Sequence, residues 1–373
     1  MAAVAHDISR GEVDAAIQLL IRNLVNLKDE TGEFLLRLED GRVIDTKGWN
    51  DWEWTHGVGL FGIYRYFEQT GDAHALEVML EWFRNRFAEG PPTKNINTMS
   101  PFLTLAYLYE EKGDQSYLPY LDSWAEWLMD PAGLPKTEEG GFQHIVFNDE
   151  NPGELWDDTL MMSVLPLAKI GLLLDRPHYI EEAKRQFLVH IKYLTDRQTG
   201  LWYHGWTFEG RHNFAGALWA RGNCWVTIAI PEILEMLALP EDDAFRMFLV
   251  DALAAQAKAL AAHQDMSGLW HTLIVDPSSY LEASATAGFA YGILKAVRKG
   301  YLPADYETTG TRAIQAVLAN IDETGELKQV SFGTAMGDTL QFYKDIPLTS
   351  MPYGQSLAIC ALAEFLRTYN ERP

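Results

Sequence analysis

The sequence predicts an all-α protein in which six helical hairpins close into an (α/α)6 toroid, with an inner and an outer ring of helices. Three observations lead to this fold class. Apolar residues recur with helical spacing along nearly the whole chain. A turn of one design recurs roughly every 60 residues, and no Pro-, Gly- or Ser-rich linker divides the sequence. We therefore expect a single (α/α)6-barrel domain over residues 1–373. An open superhelical solenoid is the alternative.

Apolar spacing at i, i+3, i+4 and i+7 predicts about twelve amphipathic helices, and no sustained strand-like alternation competes with them. The predicted helices cover residues 12–28, 53–70, 73–88, 97–112, 115–130, 156–173, 177–194, 214–237, 243–263, 282–298, 303–320 and 351–369. Every second helix would belong to the inner ring, and the inner N-termini would open on one face. The Gly- and Ala-rich runs 57–62 and 283–288 favour close packing of the inner helices.

The recurring turn has an Asp after a helix, then small polar residues, a glycine and a short apolar extension. Its copies are 29–32, 196–200, 265–268 and 322–325, and Gly141-Phe142-Gln143-His144 is a looser fifth copy. We expect each turn glycine to have a positive φ. The spacing leaves room for two helices in each repeat.

Composition and charge exclude several classes of protein. A formal net charge of −22 and a pI of about 4.8 repel phosphate backbones and anionic lipids, so we expect neither a nucleic acid nor a membrane as partner. Cys224 and Cys360 are too few for a disulfide framework or a Cys-based zinc site. The start of the chain lacks the basic flank and apolar run of a signal peptide, which predicts a cytoplasmic protein. The sequence does not determine the oligomeric state, and a homo-oligomer remains one of the options.

Residues that flank the inner N-termini should converge on one cavity. Most of the 12 tryptophans lie at these positions or in the loops that lead to them. Within this cleft, Asp157 and Asp158 follow Trp156 and precede an apolar helix. The acids could serve only as an N-cap and as partners of the helix dipole. At least one is expected to point inward, where burial would raise its pKa towards that of a general acid. The helix N-terminus opposes this shift, so its sign stays open.

Cationic and imidazole groups accompany these acids. Arg221 and Trp225 lie i, i+4 on one helix face, where a guanidinium beside an indole suits a sugar carboxylate. A surface arginine lying on a tryptophan is the alternative. His144 and His204 follow turn glycines, either as loop caps or as hydrogen-bonding partners of sugar hydroxyls. No His-x-x-x-His or His-x-His spacing occurs, and nucleotide-binding glycine motifs are absent, so we expect neither a catalytic metal nor a cofactor.

Together, several motifs resemble those of the unsaturated glucuronyl and rhamnogalacturonyl hydrolases, glycoside hydrolase families 88 and 105, and more those of family 105. The motifs are 140–144, 156–162, 200–206, 219–225 and 351–355, and the resemblance runs from about Trp49 to Tyr353. It implies an (α/α)6 barrel and a metal-free hydrolase. The substrates implied are oligosaccharides with a 4,5-unsaturated uronic acid at the non-reducing end, left by polysaccharide lyases.

The resemblance also implies roles for individual residues. The Asp of the family's Asp-Thr-Leu pattern matches Asp158, the expected general acid/base. The family's substrate-binding Arg and Trp match Arg221 and Trp225, and an aromatic before the second helix matches Trp54. A further family acid corresponds most nearly to Asn97, where this chain has an amide. The cleft positions His144, Trp202 and His204 complete the predicted substrate-binding set.

In that mechanism Asp158 would protonate C4 of the C4=C5 bond and then deprotonate the water that adds at C5. Two other functions stay open. One is an (α/α)6 sugar epimerase or isomerase that moves protons with histidines. The other is a non-catalytic glycan-binding helical-repeat protein. The sequence does not distinguish glucuronyl from galacturonyl substrates, nor does it identify the neighbouring sugar.

Overall fold

The computed structural model describes residues 8–37, 41, 43–147 and 149–370. Helices account for most of these residues, although long loops join several of them. In chain order they are α1 Arg10–Asn26, α2 Trp54–Thr70, α3 Ala73–Glu89, α4 Pro101–Lys112, α5 Leu118–Met129, α6 Leu165–Leu173, α7 Pro177–Leu194, α8 Ala220–Leu237, α9 Ala244–His263, α10 Ala283–Arg298, α11 Glu307–Ala319, the short α12 Leu340–Asp345, and α13 Pro352–Asn370.

Six of these helices form a closed inner ring. Helices α2, α4, α6, α8, α10 and α13 pack side by side in this order, and α13 contacts both α10 and α2, which closes the ring. The helices α1, α3, α5, α7, α9 and α11 lie outside it, each packed on an inner helix. The predicted (α/α)6 toroid is therefore confirmed, and the open solenoid was the wrong alternative. The twelfth predicted helix is α13, because the short α12 precedes it.

Small residues let the inner helices approach one another closely, as the glycine-rich runs predict. A Cβ atom on Gly292 of α10 would come within 2.1 Å of the Thr227 carbonyl oxygen on α8. A Cβ atom on Gly62 of α2 would lie 2.9 Å from the Cys360 sulfur on α13. Cys224 and Cys360 are free and buried, as expected for packing residues.

An ion-pair network crosses the barrel interior in the C-terminal halves of the inner helices. Arg65 on α2 donates to Glu232 on the opposite helix α8 at 2.7 Å, and Lys295 and Tyr291 of α10 bond the same carboxylate. Burial opposes ionisation of Glu232, yet the cations of Arg65 and Lys295 hold its pKa below the ordinary value. Because charged and bulky side chains fill this end of the barrel, the opposite, N-terminal face is the one left for a cavity.

The recurring turns have the predicted conformation. In all four, the Asp carboxylate accepts a hydrogen bond from the backbone N–H two residues later. The turn glycines have φ between 81° and 91°: Gly32, Gly200, Gly268 and Gly325. In the looser fifth copy, Gly140 rather than Gly141 has the positive φ. These turns end outer helices and lead the chain back towards the cavity face.

The structure has short strands at the cavity face, which the sequence analysis does not predict. Within the described residues, three antiparallel pairs occur: β1 Leu35–Arg37 with β2 Val43–Asp45, β3 Glu154–Trp156 with β4 Gly205–Thr207, and β5 Trp270–His271 with β6 Leu281–Glu282. Between β3 and α6 lies a single π-helical turn, Leu160–Val164. No helix in the part of the chain that the structure describes is both long and apolar enough to cross a bilayer.

Candidate active site

A cavity of about 570 Å³ opens where the N-termini of the inner helices meet. Its walls come from the starts of α2 and α8, from the segments before α4 and α6, and from the loop between α11 and α12. The lining residues include Trp54, Asn97, His144, Glu154, Trp156, Asp158, Trp219, Arg221, Thr334 and Met336. Trp54 also lines an adjoining groove of about 1520 Å³. The structure thus places Asp158, Arg221, Trp54, Asn97 and His144 around one space.

Asp157 and Asp158 lie at the junction of a strand and a π-helical turn. Trp156 pairs with Gly205 across the β3–β4 ladder, and the Asp157 amide donates to the His204 carbonyl at 3.1 Å, which extends the ladder. Asp158 follows and lies just before the π turn, a distortion that is frequent at functional sites. The ladder fixes the backbone so that Asp157 is fully buried, whereas the Asp158 side chain is 18% exposed and lines the cavity.

The environment of Asp158 answers the question that the sequence left open. Burial is the largest effect and raises its pKa above the ordinary value. The neighbouring Asp157 carboxyl, the charge of Arg221 and the nearby indole of Trp225 act in the opposite direction. Burial, reinforced by the charge of Asp158, raises the pKa of Asp157 much further. Asp158 is therefore a carboxyl that holds its proton more tightly than an exposed aspartic acid.

Both predicted histidines are neutral hydrogen-bonding groups. His144 lines the cavity, stacks on Trp156 with ring centroids 4.3 Å apart, and shares a 2.8 Å hydrogen bond between Nδ1 and the Thr159 hydroxyl. Burial lowers its pKa to about 3. Burial also lowers the pKa of His204 strongly, and its Nε2 lies 3.7 Å from Asp158 Oδ2. His204 does not line the cavity, so the structure places it against Asp158 rather than against a sugar.

The Arg221 guanidinium is held by the loop that covers the cavity. One terminal nitrogen donates to the Ser331 carbonyl and hydroxyl, and the other donates to the Phe332 carbonyl and the Thr334 hydroxyl. Two bonds at each nitrogen use the four terminal N–H groups. The guanidinium carbon also lies 4.8 Å from the Trp219 ring centroid and 4.7 Å from that of Tyr353. The terminal N–H groups that could bond a ligand carboxylate are therefore already bonded to the protein in this structure.

Two tryptophans predicted to bind substrate lie in the core instead. Trp202 is fully buried, and its backbone amide and carbonyl bond the Asn223 side chain. Trp225 is also fully buried, and its ring meets Trp54 edge-on at 5.5 Å. Neither lines the cavity, so both predictions of direct contact are corrected. Of the predicted tryptophans, Trp54 does line the cavity, and Tyr353 stacks on it with ring centroids 4.8 Å apart.

Several lining residues were not in the predicted set. Trp219 lies outside that set, although it lines the cavity and lies beside Arg221. Glu154 lines the cavity too, and burial raises its pKa. The loop 333–338 had no signal in the sequence, because its position depends on the Arg221 contacts. Asn97 does line the cavity, as predicted, and its backbone amide donates to Asn95 Oδ1 at 2.8 Å.

Asp157, Asp158 and His204 form a group of potential metal-ligating side chains, with one oxygen or nitrogen atom of each within 4.8 Å of the others. Among the residues that the structure describes, no further His, Cys, Asp or Glu joins this group. A cluster of acids is common without an ion, and we do not assign these side chains as metal ligands. The expectation of metal-free chemistry stays a prediction.

Comparisons with known proteins identify the family of this chain. The model of Glycosyl Hydrolase Family 88 matches residues 26–369. The chain is 33% identical over 320 residues to the unsaturated rhamnogalacturonyl hydrolase YesR of Bacillus subtilis, covering 85% of this chain and 90% of that protein. A Klebsiella pneumoniae structure described as a possible member of the GH105 family superposes with a TM-score of 0.96 and 60% identity, covering 99% of this chain and 96% of the other.

A more distant structure shows the shared fold alone. The unsaturated glucuronyl hydrolase of Bacillus sp. GL1 superposes with a TM-score of 0.69 at 18% identity, over 96% of this chain and 97% of the other. The family match covers far more than half of the chain, and the resemblance seen in the motifs is confirmed. The chain therefore belongs to glycosyl hydrolase family 88, and it is a glycoside hydrolase.

Proposed function

We propose that this enzyme releases a 4,5-unsaturated uronic acid from the non-reducing end of oligosaccharides produced by polysaccharide lyases. The observation that carries the proposal is Asp158, a carboxyl of raised pKa that faces a sugar-sized cavity beside the Arg221 cation. Family membership and the activity named for the Bacillus subtilis relative support the same substrate class. The reaction takes place in the single catalytic domain that we propose for residues 1–373.

The proposed reaction hydrates a vinyl ether. The Asp158 O–H bond breaks, and the π electrons of C4=C5 form a bond between that proton and C4, leaving a cation at C5 that the ring oxygen stabilises. A water oxygen bonds to C5, and one of its protons passes to the Asp158 carboxylate, which restores the acid. The hemiketal at C5 opens, and the hemiacetal at C1 then releases the remaining sugar as an alcohol. One carboxyl thus acts as acid and as base, unlike the carboxylate pair of ordinary glycosidases.

The cavity provides a binding partner for each part of such a sugar. Trp54 offers an aromatic face for the ring, with Tyr353 behind it. The Nδ1 atom of His144 is held by Thr159, which leaves Nε2 for a sugar hydroxyl, and the Asn97 amide lies on the same wall. Arg221 attracts the C6 carboxylate through its charge, which counters the strongly acidic protein as a whole. His204 and Trp225 act through Asp158 and not by touching the sugar.

An ultraviolet assay tests the proposal. Unsaturated uronic acids carry a conjugated C4=C5 chromophore, so hydration removes their absorbance. We expect absorbance loss with at least one member of a panel of lyase-derived disaccharides from pectin, glycosaminoglycan and ulvan. If no member reacts, the proposed function is wrong. An epimerase would leave the chromophore intact while changing the sugar, and a non-catalytic glycan-binding protein would bind the sugar without any turnover.

A further inference from the structure

Asp157 is a fully buried carboxyl group for which the proposed reaction has no use. Its side chain has no exposed surface, and neither of its oxygen atoms has a hydrogen-bond donor in bonding geometry. It packs on the backbone of Gly222, where a Cβ atom would come within 2.4 Å of Asp157 Oδ2. Gly222 directly follows Arg221, so this carboxyl lies beneath the floor of the cavity. A buried polar group without a partner calls for a physical explanation.

The groups around Asp157 favour its neutral form. Asp158 and His204 face it within 4.8 Å, and Tyr343, Cys224 and Arg221 surround the pair of acids. His204 is uncharged because burial lowers its pKa, and burial raises the pKa of the Cys224 thiol and of Tyr343. Glu282, the other nearby acid, is engaged with Ser284, Ser331 and the Ala285 amide. The terminal N–H groups of Arg221 are used by the cavity loop, and no side chain that the structure describes donates a hydrogen bond to Asp157, so an Asp157 anion would be poorly stabilised.

A protonated Asp157 has one donor, and Asp158 presents a carboxyl oxygen within 4.8 Å of it. Two carboxylates that face one another would have acceptors only, and a single proton provides the missing hydrogen bond. We propose that Asp157 is a positioning residue that stays protonated and donates its O–H to the carboxylate of Asp158. This consequence for catalysis rests on the proposed function, whereas the protonation of Asp157 does not.

The donated hydrogen bond acts at the moment when Asp158 loses its proton. As the proton moves from Asp158 to C4, negative charge develops on Asp158, and the fixed O–H of Asp157 stabilises it without any solvent rearrangement. Asp157 keeps its own proton throughout, so the stoichiometry of the reaction is unchanged. The same bond holds the Asp158 carboxyl with its other oxygen towards the cavity. Burial would otherwise make Asp158 too weak an acid to release its proton readily.

Two substitutions at Asp157 distinguish the effect of its hydrogen-bond donor from the effect of its acidity. Asp157→Asn keeps an N–H donor, and Asp157→Val keeps the volume without a donor. We expect the Asn variant to retain kcat/KM within about threefold of the wild type with the same alkaline limb. The Val variant should lose about ten- to a hundredfold in kcat with little change in KM, and its alkaline limb should move up by about one pH unit or more. Equal effects of both substitutions, or an unshifted pH profile in the Val variant, would overturn the proposal.

A stability measurement tests whether Asp157 is protonated, and it requires no catalytic turnover. The pKa of Asp157 is raised by folding, so its contribution to stability is complete below the ordinary value of about 4 and is lost as the pH rises towards the folded value. Asn does not titrate, so the Tm of Asp157→Asn minus that of the wild type should increase steadily from pH 4 to pH 8. Asp251→Asn makes the same substitution on the exposed face of α9 and should show no such trend. A pH-independent difference for Asp157→Asn would overturn the proposal, even if no unsaturated sugar were found to react.

Discussion

Replacing Arg221 by Lys should loosen the loop over the cavity while keeping the charge. The guanidinium serves four acceptors on Ser331, Phe332 and Thr334 from two nitrogen atoms. The single ammonium of Lys, placed where either nitrogen lies, reaches two of them. Two hydrogen bonds from a cation are lost, each worth about 1.5–3 kcal/mol. Because Phe332 and Thr334 are partly exposed, we take the lower value and expect the free energy of unfolding to fall by about 3 kcal/mol.

Urea unfolding followed by tryptophan fluorescence measures this loss. The matched control is Arg211→Lys, because Arg211 pairs with Glu138 at the surface, where both side chains are more than half exposed. That control should change the free energy of unfolding by less than about 0.5 kcal/mol. If Arg221→Lys changed it no more than the control, the Arg221 contacts would not hold the loop, and the reasoning would be refuted.

Three further predictions concern the barrel interior, the pH profile and metals. Glu232→Gln should lower the free energy of unfolding by about 3 kcal/mol, because it removes the anion that the buried Arg65 and Lys295 share and leaves them only Glu68 and Glu235; a loss below about 1 kcal/mol in the same urea titration would contradict this. The pH dependence of kcat/KM should show an alkaline limb above the ordinary aspartic acid pKa of about 4, since only protonated Asp158 can donate to C4 and its pKa is raised; a limb at about 4 would be inconsistent with this role. Dialysis against EDTA should leave activity unchanged, and a loss that added divalent ions reverse would refute metal-free chemistry.

Most of the ring could be predicted because its helices are defined by local patterns. The predicted bounds of α7, 177–194, agree with the structure, where Pro177 starts a helix with a clear apolar stripe. The predictions failed where the chain leads into the cavity. Helices α4 and α8 begin at Pro101 and Ala220, later than predicted, because the preceding residues form turns and bridges instead. Strands of two or three residues are too short to show a recognisable alternation of apolar and polar residues.

The site was predictable in place but not in detail. Helix order indicates which ends meet, and this correctly brought Asp158, Arg221 and Trp54 to one cavity. The direction of a side chain in an irregular segment depends on partners that are distant in sequence, and for this reason Trp202 was predicted wrongly. The hydrogen bonds of Arg221 to Ser331 join residues 110 positions apart, which no local spacing reveals.

The most direct test of the account is the turnover of Asp158→Asn on a lyase-derived disaccharide that the wild type hydrates. The substitution keeps the shape of the side chain but removes the proton donor, so we expect kcat to fall by at least about a thousandfold. Circular dichroism and Tm should stay close to those of the wild type, since Asp158 lines the cavity and is not part of the core. A folded Asp158→Asn variant whose kcat lies within about tenfold of the wild type would show that another group delivers the proton.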